Sequence, residues 1–160
     1  MPIFPLYLRL LAVGKLRGVI WLPAATEYSR RVQRYVKFEL VEIRDSIGKG
    51  LPEATALAEE GRAITQLLEP GNFLVALDRE GKAFDSKKFA QLLQKQIDAG
   101  IRKMDFVIGG PAGLEQNIVA KANLRLSLGA LTLPHELARV VLLEQLYRAL
   151  TILRGEPYHK

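Results

Sequence analysis

Two short loops near the C-terminus carry the residue types best suited to shape a ligand site. The first is Val107-Ile108-Gly109-Gly110-Pro111-Ala112-Gly113-Leu114, and the second is Leu128-Gly129-Ala130-Leu131-Thr132-Leu133-Pro134-His135. Each reads as a strand that runs into a turn and then opens a helix. Such turns lie at the carboxyl edge of a parallel sheet, where open α/β folds bind their ligands. Gly109, Gly110 and Gly113 let the backbone approach a ligand that a Cβ would block. The second loop is nearly uncharged and could wrap an apolar or aromatic group. Together the loops suggest a small-molecule pocket made of main chain. The plainer alternative is that the glycines only shape turns.

The remaining residues narrow the chemistry. The chain has no cysteine, which excludes disulfides, thiolate catalysis and cysteine-ligated metal centres. Its two histidines argue against a histidine-rich metal site. A phosphate loop needs G-x-x-x-x-G-K-[ST], and Gly48-Lys49-Gly50 stands alone with no Ser or Thr after it. The dinucleotide fingerprint needs G-x-G-x-x-G, whereas Gly109-Gly110-x-x-Gly113 is spaced differently and has no acidic ribose anchor downstream. No glycine turn carries a serine at a nucleophile elbow. A glycine-lined pocket with few ionisable groups suits a self-activated donor. S-adenosylmethionine is one: the protein need only align the nucleophile with the methyl and exclude water.

The elements that would position these loops alternate between strand and helix. Tyr7–Val13 reads as a buried strand that ends at Gly14. Helical spacing runs from about Val19 to Val36, and Phe38–Ile43 alternates as a second strand. The segment Asp45–Pro52 is a flexible loop. Glu53–Leu68 is a helix, Phe73–Leu77 a third strand ending at Asp78, and Ser86 caps a helix that runs to about Ala99. Met104–Ile108 is a strand, Leu114–Ala122 a short helix and Leu124–Leu128 a fifth strand. Pro134 starts a long helix that ends near Leu153. The pattern predicts one α/β domain over residues 1–160, with an open, mostly parallel sheet and helices on both faces.

The last helix is unusually apolar. Val140, Leu142, Leu143, Leu146, Tyr147, Ala149, Leu150 and Leu153 cover about half its circumference, and Leu137, Val141 and Ile152 add more. Its polar strip is narrow: Glu144, Arg148 and Thr151. Such a helix needs burial on more than one side, which predicts a homodimer through it. Arg139 falls inside the apolar half, where it either snorkels at the rim or takes part in chemistry.

Hydrophobic residues make up 49% of the 160 and charged residues 25%, with a net charge of +6. The basic balance favours polyanionic partners such as RNA, DNA or a membrane surface. Arg30, Arg34 and Lys37 share one face of the first helix, either as a phosphate-binding stripe or as an ordinary solvated surface. The apolar run Leu6–Val13 is short, is interrupted by Arg9 and lacks a cleavage site. No stretch approaches the ~20 apolar residues that span a bilayer, so a cytoplasmic protein is expected.

Several motifs together carry a family resemblance. They are Phe106-Val-Ile-Gly-Gly-Pro-Ala-Gly-Leu114, Leu126-Ser-Leu-Gly-Ala-Leu-Thr-Leu-Pro-His135, Leu146-Tyr147-Arg148-Ala149 and the ending Pro157-Tyr158-His159-Lys160. They resemble the RlmH family, bacterial pseudouridine-N3 methyltransferases of 23S rRNA in the SPOUT class. Leu11-Ala-Val-Gly14, Glu27-Tyr28 and Leu77-Asp78 agree more loosely, so the resemblance spans almost the whole chain. It implies a C-terminal trefoil knot with the cofactor pocket over about residues 104–160, a homodimer and S-adenosylmethionine bound by the knotted loops. It implies no metal and no membrane. By motif match the cofactor contacts are Leu77, Gly109, Leu128, Gly129, Ala130, Leu131, Thr132 and Leu133. Gly129 stands where other members carry a serine, so any hydroxyl contact there would be lost. The implied substrate is a pseudouridine of 23S rRNA in the assembled ribosome. Alternatives are a SPOUT enzyme acting on tRNA, a ribosome-binding protein without enzymatic role, or a structural homodimer with an empty loop.

Methylation at N3 requires loss of an imide proton, which a positioned base or a stabilising cation would assist. The candidates are His135, Arg139, Tyr158 and His159. His135 follows Pro134 at a helix start, where the dipole favours the neutral ring; alternatively it packs locally and orients the loop. Tyr158 and His159 lie on a tail that a core would not need. The resemblance implies that the tail reaches the target nucleotide across the dimer.

Overall fold

The computed structural model describes all residues from Met1 to Lys160. Ten elements follow in the order β1 (Tyr7–Val13), α1 (Trp21–Val32), β2 (Lys37–Ile43), α2 (Glu53–Leu67), β3 (Phe73–Ala83), α3 (Ser86–Asp98), β4 (Lys103–Ile108), α4 (Gln116–Lys121), β5 (Leu124–Ser127) and α5 (His135–Leu153). The five strands form one sheet in the order β2-β1-β4-β3-β5. Every pairing is parallel, so the carboxyl ends of all five strands share one edge.

The strand side chains alternate between two cores, as a pleated sheet with both faces covered requires. Leu8, Leu10, Val75, Phe106 and Leu126 face a core of 22 buried residues shared with α1, α3 and α5. Leu11, Val13, Leu74 and Val107 face a core of 7 shared with Ile64 of α2 and Ile118 of α4. The smaller face also buries an ion pair. Arg9 Nε donates to Asp105 at 2.6 Å and its Nη2 to the Leu67 carbonyl at 2.7 Å. The partners sit opposite each other in β1 and β4, so the pair holds register as well as charge.

The long helix is buried by its own chain. It packs against both α1 and α3, and Leu142, Leu143, Leu146, Ala149 and Leu150 are fully buried there. Thr151, assigned to the polar strip, is buried as well; its hydroxyl donates to the Arg148 carbonyl at 2.6 Å. None of the large exposed hydrophobics belongs to α5. Intrachain packing therefore accounts for most of the apolarity of this helix, while Leu137, Val140 and Val141 stay partly exposed.

Three departures from the sequence expectation change more than a helix or strand end by a residue or two. Strand β3 does not end at Asp78 but continues to Ala83. Leu126 pairs with both Leu77 and Lys82, so the intervening residues bulge from the sheet. Gly81 makes the return possible, since a Cβ there would lie 2.5 Å from the Arg125 carbonyl oxygen. The N-cap of α3 is Asp85, whose carboxylate accepts from the Lys88 N–H at 2.8 Å. Ser86 instead donates to Gln145 of α5 at 2.8 Å. Helix α1 is shorter than its periodicity at both ends: residues 19 and 20 form a turn after Gly18 at φ 91°, and beyond Val32 the chain tightens into turns in which the Arg34 and Tyr35 N–H groups donate three residues back, to Arg31 and Val32.

Candidate functional site

Three loops at the carboxyl edge enclose a cleft of about 350 Å³. The bulge after Leu77 forms one wall, the turn after β4 the floor, and the loop from β5 into α5 the other wall. The β4 turn is fixed by hydrogen bonding and by close backbone approach. The Gly113 N–H donates to the Gly110 carbonyl at 3.0 Å, closing a four-residue turn with proline second and glycine last, a favoured turn composition. Gly113 holds φ 82°, which only glycine adopts without strain. A Cβ on Gly109 would lie 2.3 Å from the Gly113 carbonyl carbon and oxygen, so the turn folds onto a bare backbone.

The β5–α5 loop is tied locally as well. The Ser127 hydroxyl accepts from the Gly129 N–H and donates to the Gly129 carbonyl, both at 3.1 Å. Leu131 is 83% exposed at the rim, an apolar side chain with no cover of its own. Leu77, Ile108, Leu114 and Leu133 supply further apolar lining. Asp78 is the one carboxylate of the lining. Burial raises its pKa, but the Glu80 N–H and Arg125 outweigh that, and the net shift is downward. Arg125 Nε reaches it at 2.8 Å.

Behind the β5–α5 loop lies a second cavity of about 520 Å³, with Phe84, Val141 and His159 in its lining. Leu126, Leu128 and Gly129 line both cavities and form their common wall. The C-terminal tail folds back on α5 beside it. Tyr158 donates to Glu144 at 3.0 Å and stacks edge-on against Tyr147 at 4.6 Å. His159 Nδ1 lies 3.3 Å from Arg148 Nη1, and Tyr35 donates to Glu156 at 2.5 Å. Burial and the Glu144 carboxylate push the Tyr158 phenol up to about 12. It is therefore a donor at neutral pH.

A model of the family described as "Predicted SPOUT methyltransferase" matches residues 6–159. Ribosomal RNA large subunit methyltransferase H of Anaeromyxobacter sp. (strain Fw109-5) is 46% identical over 153 residues, covering 96% of this chain and 99% of that one. The protein of the same name from Nitratidesulfovibrio vulgaris (strain DP4) is 41% identical over 152 residues, covering 95% and 97%. The chain belongs to the RlmH family of SPOUT methyltransferases. Solved structures extend the likeness of fold at much lower identity. A probable methyltransferase from Bordetella pertussis Tohama I superposes with TM-score 0.56 at 16% identity, covering 91% of this chain and 95% of that one. A probable methylase family protein from Haemophilus influenzae Rd KW20 gives 0.53 at 11%, covering 99% and 71%.

The cofactor contacts carried over from the RlmH resemblance fall mostly in one place. Leu77, Gly109, Leu128, Gly129, Leu131 and Leu133 line the cleft, as does His135. Ala130 and Thr132 belong to the same loop but are exposed and outside the lining. Sequence reasoning placed Gly110 and Leu114 in a ligand-shaping loop but passed over Asp78 and Gln116 as lining residues. Their only signal was position just beyond a strand end at the carboxyl edge.

The four catalytic candidates are not brought together within one chain. His135 is at the cleft, and Tyr158 and His159 are on the tail beyond the shared wall. Arg139 neither snorkels nor lines the cleft; it is 1% exposed. Its Nη2 donates to the Gly14 carbonyl at 2.9 Å and its Nη1 to Glu42 at 3.2 Å. Burial lowers its pKa while Glu42 opposes the shift, and the guanidinium stays charged. Arg139 thus pins the start of α5, and with it the cleft loop, to the ends of β1 and β2. The basic stripe expected on the first helix does not form, because α1 ends at Val32, which leaves Arg34 in the following turn and Lys37 at the start of β2; Arg30 is bound to Glu27 at 2.9 Å, Lys37 sits 4.4 Å from the Tyr7 ring centroid, and Arg34 is exposed.

Proposed function

We propose that this protein methylates N3 of a pseudouridine in 23S rRNA of the assembled large ribosomal subunit, with S-adenosylmethionine as donor. The observation that carries the reading is the cleft, which main chain and leucine side chains enclose at the carboxyl edge of an RlmH-family sheet. Its residues fit that donor. The Gly109–Gly113 turn and the Leu128–Leu133 loop offer backbone N–H and carbonyl groups, while Leu77, Leu114, Leu131 and Leu133 offer apolar surface to an aromatic base. When bound, the sulfonium supplies a methyl group already joined to a good leaving group.

The chain's own residues then orient the target and handle one proton. His135, at the cleft and at the first position of α5, accepts or orients the N3 proton. Arg139 acts through it as a positioning residue by fixing the start of the helix. Tyr158, held protonated, presents a donor, and His159 presents a ring nitrogen beside Arg148. These two lie beyond the common wall, so they meet a target base only if a second copy docks along α5. We therefore retain a homodimer through that helix, supported by the half-buried Val141 and the open cavity beside it. A C-terminal trefoil knot is part of the same reading. Its support is the path of the chain, in which β4 inserts between β1 and β3 and α5 returns from the β5 edge to pack on α1 and α3. A ribosomal substrate would place the protein in the cytoplasm.

The test is mass spectrometry of rRNA from a strain lacking the protein, combined with methyl transfer in vitro to ribosomes and to tRNA. A single N3-methylpseudouridine missing from 23S rRNA and restored by the purified protein is expected. Label entering tRNA instead, or no transfer with intact ribosomes, would overturn the reading.

A further inference from the structure

The loops that leave β1 and β2 are unlike those of the cleft. These strands are paired in register up to Val13 and Ile43, so the loops emerge side by side at the carboxyl edge. β1 also pairs with β4, and Val13 packs against Gly110 of the cleft turn. The two loops therefore border the cleft. Each presents its cations between glycines in the left-handed region. Lys15 and Arg17 lie between Gly14 at φ 90° and Gly18 at φ 91°, and Lys49 lies between Gly48 at φ 79° and Gly50 at φ 78°.

The charges in this corner are sorted by sign. Three carboxylates here are satisfied within the protein: Glu42 accepts from Arg139 and from the Leu16 N–H at 3.0 Å, Asp45 from the Ile47 N–H at 2.8 Å, and Glu60 from the Ser46 N–H at 2.8 Å, which leaves Glu53 at the start of α2 as the exposed carboxylate beside the cations. Lys15, Arg17, Arg44 and Lys49 are exposed, and none of them forms an ion pair. Beside them Val19 is 90% exposed and Ile20 65%. Leu16 is buried at 7% exposure and anchors the first loop to the core.

We propose that these two loops are the surface that docks the RNA substrate, with Lys15, Arg17, Arg44 and Lys49 on phosphates and Val19 and Ile20 against a ribose or unstacked base. The occupant is RNA because unpaired cations around internally satisfied carboxylates complement a polyanion. An apolar partner would gain nothing from them. The proposal rests on the reading of the protein as an RNA methyltransferase and adds where the RNA lies. It also accounts for Gly48-Lys49-Gly50, which fits no phosphate-loop motif yet displays its lysine.

The test compares the full-length protein with K15E/R17E/K49E, and with K95E/R102E/K121E as a charge-matched control at the opposite edge. The probe is purified ribosomes, titrated over a range of salt. The loop variant should bind ribosomes at least about tenfold more weakly, with a shallower salt dependence, each lost phosphate contact removing about 0.7–0.9 from the log–log slope. The control should bind like the parent. Calorimetry with S-adenosylmethionine should give the same affinity for all three, and K15Q/R17Q/K49Q should show a graded loss. V19S/I20S should weaken binding without changing the slope. Unchanged ribosome binding and slope in K15E/R17E/K49E would overturn the proposal, as would equal weakening in the control. If the parent binds ribosomal RNA through these loops yet transfers no methyl group, the docking surface stands and the enzymatic reading falls.

Discussion

The turn after β4 and the C-terminal tail both carry candidate site residues, yet they are held in opposite ways. The turn is fixed by backbone meeting backbone: Gly113 bonds Gly110, and Gly109 has no room for one more carbon. The tail is fixed by ionisable side chains reaching sideways, Tyr158 to Glu144 and His159 to Arg148. A backbone-built wall keeps its shape across pH and resists substitution. A side-chain latch is weaker and can be released by pH. The pocket that must keep one geometry has the first construction, and the segment proposed to meet another molecule has the second.

The contrast breaks most sharply at Gly109. Gly109→Ala places a Cβ 2.3 Å from backbone atoms of Gly113, so the turn must move. S-adenosylmethionine affinity by calorimetry should fall about ten- to a hundredfold, the equivalent of about 1.4–2.8 kcal/mol of lost contacts. Parent-like binding would show that the turn is not a wall of the site. Next is Arg139→Met, which strips partners from Glu42 and the Gly14 carbonyl. Denaturant midpoints should report a loss of about 3 kcal/mol, with weaker cofactor binding as α5 loses its anchor. Intact stability would mean that the guanidinium holds nothing.

The tail should behave differently. Deleting residues 157–160 should leave cofactor affinity unchanged and cost only about 1 kcal/mol of stability, while methyl transfer is lost. Full activity of the truncated protein would remove Tyr158 and His159 from the site. The smallest effect is on pH. The Tyr158 and Tyr35 phenols are both pushed from an ordinary 10.0 to about 12 by burial and by their carboxylate partners. A raised phenol contributes its stability fully below pH 10 and loses it as pH climbs through about 12. Tyr7 is raised too, by its hydrogen bond to Glu39, so ultraviolet titration should show three late tyrosinates, and Tyr158→Phe should remove one. Ionisation of Tyr158 and Tyr35 near 10 would mean that the latch is not formed.

Much of the fold was legible because it is written in local pattern. Alternating strands, helical spacing and punctuating glycines placed all ten elements, most boundaries lying within a residue or two. The misses have physical causes. The bulge in β3 depends on Gly81 passing over Arg125, a contact between residues 44 apart in sequence. Asp85 outcompeted Ser86 for the cap because a cap is chosen by geometry among adjacent polar residues. The glycine loops were visible as a candidate pocket, and motif resemblance named their contacts. Asp78 and Gln116 were not, since no spacing rule brings them to the cleft.

The chain by itself determined the alternating α/β architecture, the two glycine-rich turns at the carboxyl edge and the family. Each rests on residue types and short spacings, which act over a few neighbours. Only the tertiary structure decided what long-range packing controls. It turned Arg139 from a possible catalyst into a clamp on β1, paired the cations of α1 and left those of the β1 and β2 loops free. It also separated the tail from the cleft by one shared wall. Charge and chemistry are carried by single residues, but which charges are spent and which remain available depends on what the fold brings within hydrogen-bond reach.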